Sequence, residues 1–372
     1  MKRIVISMLA AATIIAGCAS KSNQTDLICV KFGTQWGFIN KKGQYVINPQ
    51  FDEAYLFGTN GLAEVKLNGK WGCIDSKGNW VIDNVYESVS VYSDSLMPVK
   101  VNNKWGYVDT KNNIAIEAKY DDAGCFINGL ASVKINGKWG YIDLKGNLVI
   151  EAQFEDACTI EKEMAAVKLN NKWGYIDKVG NWIMNPQFDE IRGFYGQDLA
   201  AAKVDGKWGY IDHKGNWIIK PQFVNVSYFS DGLAAVEIDG KWGYIDTNGK
   251  VVINPQFTKY NYDDISFYNG LAQIKINGKY GFIDKTGKIV INPQFDYASQ
   301  FIDKDLTWAT IDFEKCGYID KKGNWVIEPQ FDEADLFMTN GLAAVEINGK
   351  WGLIDKKGNI VVSPQFDEIR NW

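Results

Sequence analysis

Pairs of adjacent carboxylates are the residues of this chain with the greatest capacity for chemistry. They recur at one point of a repeated phrase, as Asp52-Glu53, Asp189-Glu190, Asp332-Glu333 and Asp367-Glu368. Glycoside hydrolysis needs two carboxyl groups that face each other across one cleft, one of them with a raised pKa. Catalytic residues are usually installed once, whereas these pairs repeat. The sequence therefore predicts no catalytic residues and a protein that is not an enzyme.

Other reactive constellations are absent from the sequence. The single histidine, His213, lies in a turn where other copies of the phrase carry Lys, which indicates a solvated turn residue and excludes histidine-based triads and histidine-rich zinc sites. The acidic positions lack the dense spacing of a calcium loop, and no glycine-rich loop precedes a helix. We expect no metal and no cofactor, although the spacing alone leaves calcium dependence open.

The N-terminus has the features of an export signal. Met1-Lys2-Arg3 is basic, Ile4–Ile15 is a 12-residue apolar run, and Ala16-Gly17-Cys18 follows. Such a run is too short to span a bilayer comfortably, so residues 1–17 are predicted to be a signal peptide. The ending resembles the lipobox of bacterial lipoproteins, which implies cleavage before Cys18 and acylation of this residue. Several acyl chains would anchor the protein stably, with residues 18–28 as a polar tether.

Export places the mature chain in the cell envelope, outside the cytoplasm. Ala19 follows the lipid cysteine, where some Gram-negative inner-membrane lipoproteins have Asp, and this favours the outer membrane in such a cell. The formal net charge is −5, with both signs interspersed and no basic stripe, which argues against nucleic acid as a partner. An apolar content of 46% excludes a disordered chain.

The cysteines do not form a disulfide framework. Besides Cys18 there are five, an odd number at irregular spacing: Cys29, Cys73, Cys125, Cys158 and Cys316. Cys73 and Cys316 stand where other copies have an aromatic ring, so we interpret both as apolar substitutes. Cys125 and Cys158 occupy nearly equivalent points of adjacent copies, and the sequence leaves a bridge between them open.

The dominant feature of residues 29–372 is a phrase repeated about ten times at intervals of 34 to 38 residues. Its anchors are an aromatic residue, or once Cys, followed by Gly: Trp36-Gly37, Trp71-Gly72, Trp105-Gly106, Trp139-Gly140, Trp173-Gly174, Trp208-Gly209, Trp242-Gly243, Tyr280-Gly281, Cys316-Gly317 and Trp351-Gly352. The phrase resembles the WG-repeat (KWG-repeat) family of bacterial proteins. The resemblance implies a repeat scaffold and no particular chemistry.

Each copy carries the signals of a β-meander. Asn136-Gly137 is typical of a two-residue type I′ hairpin turn, and Asp143-Leu144-Lys145-Gly146 of a second turn. A short apolar strand such as Trp182-Ile183-Met184 follows, and Pro-Gln-Phe closes the unit. The fold class is therefore all-β, with about ten three-stranded antiparallel meanders and a connector able to add a short fourth strand.

The two-residue turn also predicts the pairing of side chains. In the fourth copy it sets Ile135 opposite Lys138, Lys134 opposite Trp139, and Val133 opposite Gly140. The Lys-on-Trp pair recurs in other copies, although Glu237 and Glu346 replace the lysine in two of them. The glycine after each anchor weakens its strand, so we expect the backbone or a ring of a neighbouring unit to pack there.

One meander cannot bury an apolar face alone, so the copies must stack. An open solenoid and a closed propeller both satisfy this requirement. Propellers typically hold four to eight blades of four strands, and ten shorter units exceed that range, so an open array is favoured. The ninth copy, between Phe301 and Cys316, and the stretch 258–267 depart from the pattern and mark either a bend or contact, or sequence drift.

Binding remains as the function that the sequence favours. The residue after the second turn varies between aromatic and aliphatic types, which indicates half-buried packing. The alternative is that exposed tryptophans at this position contact a ligand, and Trp80, Trp182, Trp217 and Trp325 are the candidate binding aromatics. The preferred hypothesis is a lipid-anchored scaffold that binds an envelope protein. The alternative is a glycan or small-ligand binder, because the sequence pattern of repeated aromatic hairpins is similar to that of choline-binding and glucan-binding repeats.

Overall fold

The computed structural model describes residues 26–91, 96–258 and 265–370. The predicted signal peptide, Cys18 and most of the tether lie outside the described residues, as does part of the irregular stretch 258–267. Contacts divide the described residues into two compact units, residues 26–40 with 44–196 and residues 41–43 with 197–370. In these ranges every regular element is a β-strand, and no helix is long and apolar enough to cross a membrane.

The first unit contains twenty strands. They are β1 Ile28–Phe32, β2 Gln35–Ile39, β3 Tyr45–Phe51, β4 Glu53–Ala54, β5 Ala63–Leu67, β6 Lys70–Ile74, β7 Trp80–Tyr86, β8 Ser88–Val89, β9 Met97–Val101, β10 Lys104–Val108, β11 Ile114–Tyr120, β12 Asp122–Ala123, β13 Leu130–Ile135, β14 Lys138–Asp143, β15 Leu148–Phe154, β16 Asp156–Ala157, β17 Met164–Leu169, β18 Lys172–Asp177, β19 Trp182–Phe188 and β20 Glu190–Arg192. We call the sheet of β1–β3 blade 1, and the sheets β4–β7, β8–β11, β12–β15 and β16–β19 blades 2 to 5.

The second unit contains the remaining strands. They are β21 Ala200–Val204, β22 Lys207–Ile211, β23 Trp217–Phe223, β24 Leu233–Ile238, β25 Lys241–Asp246, β26 Val251–Phe257, β27 Phe267–Tyr268, β28 Leu271–Ile276, β29 Lys279–Asp284, β30 Ile289–Phe295, β31 Tyr297–Ala298, β32 Leu306–Ile311, β33 Lys315–Asp320, β34 Trp325–Phe331, β35 Glu333–Ala334, β36 Leu342–Ile347, β37 Lys350–Asp355, β38 Ile360–Phe366 and β39 Glu368–Arg370. Strands β21–β23 belong to blade 6, and β24–β26, β27–β30, β31–β34 and β35–β38 form blades 7 to 10.

The predicted array of three-stranded meanders in an open solenoid is wrong. Among the described residues, seven blades have four strands within one compact unit, blades 2 to 5 and 8 to 10, and blade 7 has three. Four antiparallel strands in one sheet are the blade of a β-propeller, so the chain is an all-β protein of ten propeller blades. The expectation that a unit of about 34 residues is too short for a four-stranded blade failed because the connector adds a strand of only two residues. In blade 4, Asp122 pairs with Lys134 and Ala123 with Val133, which completes a blade in 34 residues.

The predicted hairpin is confirmed. Ile135 pairs with Lys138, Lys134 with Trp139, and Val133 with Gly140. Both turn residues have positive φ, 49° at Asn136 and 79° at Gly137, as a type I′ turn requires. The irregular ninth copy forms the same ladder, because Ala309 pairs with Gly317 across a longer turn.

Both faces of a blade are buried against its neighbours. On one face of blade 4, Val133 and Ile142 pack in a cluster with Tyr107 of blade 3. On the other face, Tyr141 packs with Ile176 of blade 5. The Tyr141 hydroxyl donates a hydrogen bond of 2.6 Å to the carbonyl oxygen of Cys158, on the connector that enters blade 5. The hydrophobic core therefore lies between blades, which explains why one copy cannot fold alone.

The glycine after each anchor is required by the third strand of its own blade. Between the pairs Trp139–Phe154 and Tyr141–Ile150 the register shifts, so that β15 bulges across Gly140. A Cβ on Gly140 would lie 2.5 Å from the carbonyl oxygen of Ile150 and 2.7 Å from the amide nitrogen of Ala152. The expectation of a neighbouring unit at this glycine is therefore wrong. The proline of other copies lies in this bulge.

The second turn is stabilised by its aspartate. Asp143 Oδ1 accepts the backbone N–H groups of Lys145 and Asn147, each at 2.9 Å. The Asn147 side-chain amide and these N–H groups hold the pKa of Asp143 below its usual range. Because the folded pKa is the lower one, the charged form stabilises the fold above the unfolded pKa of about 3.9, and this contribution is lost as the pH falls through the folded pKa.

Candidate interaction surface

In seven of the ten blades formed by the described residues, the third strand begins with two exposed residues. In six blades both residues are large, apolar and exposed: Tyr45 and Val46, Leu148 and Val149, Trp182 and Ile183, Val251 and Val252, Ile289 and Val290, and Ile360 and Val361. We call these the strand-start pairs. Exposed apolar side chains that recur at one position mark an interaction site more often than scattered ones do.

The geometry of the third strand explains this exposure. In blade 7, Val251 and Val252 are exposed, Ile253 is buried, and Phe257 is buried at the end of the strand. The strand lies at the edge of its sheet, paired with β25 on one side only. An edge strand presents backbone donors and acceptors as well as side chains, and both are available to a partner.

Each of the four candidate tryptophans is the first residue of its third strand, and Trp182 is the one that belongs to a strand-start pair. Three of them meet a phenylalanine of the preceding blade nearly edge to face: Trp80 with Phe51 at 6.0 Å between ring centroids, Trp182 with Phe154 at 5.9 Å, and Trp325 with Phe295 at 5.5 Å. Trp182 is still 36% exposed, and the other three are half-buried. The structure thus gives Trp80, Trp182 and Trp325 an aromatic packing partner and leaves all four tryptophans partly open to solvent.

The anchor residues are structural. Trp36, Trp208, Trp242 and Tyr280 are buried, and Trp71, Trp105, Trp139, Trp173 and Trp351 are half-buried. The predicted Lys-on-Trp contact is present: Lys66 Nζ lies 5.7 Å from the Trp71 ring centroid, and Lys134 Nζ 5.7 Å from that of Trp139. Such a contact contributes roughly 0.5–1 kcal/mol at an exposed site.

The aspartates of the carboxylate pairs tie blades to one another. Asp332 Oδ1 accepts a hydrogen bond of 2.5 Å from Lys315 Nζ of blade 9, and its Oδ2 accepts the N–H of Asn348 in blade 10 at 2.6 Å. Lys350 and Asp367 form the same ion pair at 2.5 Å. Burial raises the pKa of the neighbouring Glu333, and the Glu346 carboxylate adds to the shift. The arrangement serves packing between blades.

Other sequence candidates have equally local roles. His213 Nε2 lies 3.1 Å from the carbonyl oxygen of Gln197. Cys73 and Cys316 are buried, as apolar substitutes should be, and burial raises the pKa of the Cys316 thiol to about 12. Cys125 and Cys158 are not disulfide-bonded. In the part of the chain that the structure describes, no three His, Cys, Asp or Glu residues are grouped as metal ligands.

The aliphatic members of the strand-start pairs are the residues that sequence reasoning missed. Val252 and Val290 follow an apolar residue and precede a buried one, so the run reads as core. Strict alternation would bury the first and the third residue, but of the first three residues only the third reaches the space between blades. The sequence feature that could have identified these exposed residues is the absence of polar residues in the first three positions of an edge strand.

A family model described as a WG containing repeat matches ten consecutive segments: residues 36–71, 71–105, 105–139, 139–173, 173–208, 208–242, 242–280, 280–312, 317–351 and 351–372. No curated protein sequence matches the chain.

Among solved structures, a eukaryotic initiation factor is similar with a TM-score of 0.55 and 11% identity, covering 94% of this chain and 97% of that one. BamB from Moraxella catarrhalis reaches a TM-score of 0.38 and 12% identity, over 70% and 89% of the two chains. The dihydro-heme d1 dehydrogenase NirN reaches 0.39 and 11%, over 97% and 78%. At 11% identity, the similarity to the eukaryotic initiation factor shows a shared fold and nothing about function.

Proposed function

The chain belongs to the WG-repeat family, and we propose that it is a non-catalytic scaffold, lipid-anchored in the cell envelope, that binds another protein through its strand-start pairs. The observation that supports this proposal is the repetition of exposed apolar pairs at one position of six blades. Repeated blades present equivalent surfaces side by side, and such surfaces suit an extended partner.

The composition of the pairs favours a protein over a glycan. Sugar rings stack on flat aromatic faces, whereas five of the six pairs contain at least one valine. Three pairs consist of Val or Ile alone: Val251 with Val252, Ile289 with Val290, and Ile360 with Val361. Branched aliphatic side chains gain most from contact with apolar protein surface, roughly 25 cal/mol per Å² removed from water. Three of the four tryptophans also use part of their ring against a phenylalanine of the preceding blade.

The anchor belongs to the same proposal. Acylation at Cys18 and the polar stretch from Ser20 to Asp26 would hold the blades at a membrane surface without a spanning segment. Ala19 after the lipid cysteine favours the outer membrane in a Gram-negative cell. The formal net charge of −5 supports a partner that is not nucleic acid.

A capture experiment tests the class of partner. The soluble fragment from Ser22 to Trp372 is used as bait on envelope extract that has been divided into untreated, protease-treated and periodate-treated portions. We expect the captured material to disappear after protease and to persist after periodate, because the strand-start pairs bind polypeptide. Loss after periodate alone would contradict the proposal and support a glycan ligand.

A further inference from the structure

In blades 2 and 4, three side chains form a row across the face of the sheet that carries the anchor tryptophan. In blade 4, Asp122 of the short strand pairs with Lys134, and Lys134 pairs with Trp139. The Lys134 ammonium lies 5.7 Å from the centroid of the Trp139 ring. We call these three positions the cross-strand row. Blade 2 has the same row with Glu53, Lys66 and Trp71.

In blade 10 the cross-strand row contains two acids and no ammonium. Glu333 pairs with Glu346, and Glu346 pairs with Trp351. Side chains directly opposite each other have Cβ atoms about 4.5–5.5 Å apart, so two like charges face each other, which destabilises a sheet. All three side chains are half-buried, which weakens the screening of this repulsion by water. The position that carries an ammonium in blades 2 and 4 thus carries a second negative charge in blade 10.

The rest of the described chain supplies no cation to this row. Within residues 26–91, 96–258 and 265–370, the carboxylates of Glu333 and Glu346 have no hydrogen-bond donor or ion-pair partner, and no cation lies over the Trp351 ring. Burial raises the pKa of both carboxyl groups, and the neighbouring charges that add to the shift, Asp332 and Asp335 among them, are negative. An external cation would therefore relieve the repulsion between the two carboxylates.

Blade 7 shows how a glutamate in this row is accommodated without a ligand. Glu237 pairs with Trp242, and Glu237 Oε2 accepts a hydrogen bond of 2.6 Å from Asn225 Nδ2. Trp242 is only 8% exposed, so its ring belongs to the core. Blade 10 differs on both counts, because Glu333 stands where blade 7 has the donor Asn225, and the anchor tryptophan is partly open to solvent.

The row of blade 10 fits a primary alkylammonium ion. Tryptophan attracts cations more strongly than other aromatic rings do, and an ammonium has three N–H donors for the two carboxylates. A quaternary ammonium cannot donate to the carboxylates, and its recognition relies on a cage of aromatic rings. The chain itself uses lysine in this row, where the ammonium at the end of a flexible stem reaches the indole. The formal net charge of −5 also attracts a cationic partner.

We propose that Glu333, Glu346 and Trp351 form a binding site for a lysine side chain of the partner protein. Its ammonium takes the place that lysine takes within blades 2 and 4, and it separates the two carboxylates. The site lies at the end of β38 remote from its strand-start pair, because Trp351 pairs with Phe366, the last residue of that strand. The inference rests on the proposed function and adds a charged contact to the apolar one.

The test follows the Trp351 ring by fluorine NMR of the fragment from Ser22 to Trp372, labelled with 5-fluorotryptophan and assigned with Trp351→Phe. The probe is Nα-acetyl-lysine methylamide, and the matched compound is its norleucine analogue, which lacks the ammonium. We expect the Trp351 line to shift with the lysine probe and to stay in place with the norleucine compound. Glu346→Lys should weaken binding of the probe by at least about tenfold, because an internal ammonium then fills the site.

Glu237→Lys is the matched control, since it makes the same charge change at the equivalent position of blade 7 and should leave binding of the probe unchanged. Glu346→Lys should raise the melting temperature of the fragment, because a pair of like charges becomes a pair of opposite charges. Capture of the partner from envelope extract should fall by at least about tenfold for Glu346→Lys and persist for Glu237→Lys.

An unchanged Trp351 line with the lysine probe, or equal binding by Glu346→Lys and the parent fragment, would overturn the inference. A line shift together with full capture by Glu346→Lys would overturn the assignment to a lysine of the partner and identify the site as one for a free alkylammonium ion. Capture by the parent fragment tests the proposed function separately. If that capture persists in Glu346→Lys, the proposed function stands while this row is excluded as a contact of the partner.

Discussion

Gly140→Ala is expected to destabilise the fold by about 3 kcal/mol or more, measured as the free energy of unfolding in denaturant. The added Cβ would lie 2.5 Å from the Ile150 carbonyl oxygen and 2.7 Å from the Ala152 amide nitrogen. Both are backbone atoms of the bulge, so neither can move aside as a flexible side chain could. Relief requires separation of β14 from β15, which loosens the buried residues of that strand.

The matched control is Gly137→Asn, a substitution of a glycine three residues earlier. Gly137 has a φ of 79°, and a Cβ there would meet no atom within 4 Å. The chain already has Asn at this turn position, at Asn103 with a φ of 61° and Asn171 with a φ of 59°. We expect a loss below about 1 kcal/mol. Equal losses at the two glycines would contradict the role given to the bulge.

Phe154→Ala is expected to cost about 3–5 kcal/mol, the range for removal of a buried aromatic side chain. Phe154 is 1% exposed and belongs to the cluster between blades 4 and 5. Truncation would open a cavity and remove the partner of the Trp182 ring. Thermal or denaturant unfolding of the fragment measures the loss.

Two further variants separate the contribution of Phe154 from that of Trp182, whose ring packs against it. Gln153→Ala changes the exposed residue next to Phe154 and should alter stability by less than about 0.5 kcal/mol. Trp182→Ala should cost clearly less than Phe154→Ala, and the double variant should reveal a coupling of about 0.5–1.5 kcal/mol between the two rings. A larger loss for Trp182→Ala than for Phe154→Ala would mean that the tryptophan is core and is not available to a partner.

The hairpin and its register followed from the sequence because a two-residue turn leaves no freedom in pairing. Asn136-Gly137 alone determines which residue faces Trp139. The bulge of β15 did not follow, since no local residue type distinguishes a strand that crosses a glycine from one that ends beside it. The connector was predicted to be able to add a short fourth strand, but no pattern located this strand, because Asp122–Ala123 is too short to carry an alternating pattern.

The exposed residues of the candidate interaction surface were predicted only in part. The variable position after the second turn was identified, together with Trp80, Trp182, Trp217 and Trp325. The equally exposed Val252 and Val290 were not identified, because a run of three apolar residues looks the same whether one or all of them are buried. Whether such a residue is buried depends on its distance from the neighbouring blade. This distance is set by how the copies stack.

The measurement that tests the account most directly compares capture of envelope protein by two variants of the fragment. One carries Val251→Thr, Val252→Thr, Ile289→Thr and Val290→Thr, which remove apolar contact while keeping β-branched side chains. The control carries Asn254→Thr and Asn292→Thr, at exposed polar positions of the same two strands. We predict that the first variant, folded with the melting temperature of the control, loses at least about tenfold in capture while the control retains it. Equal capture by both would contradict the role of the strand-start pairs.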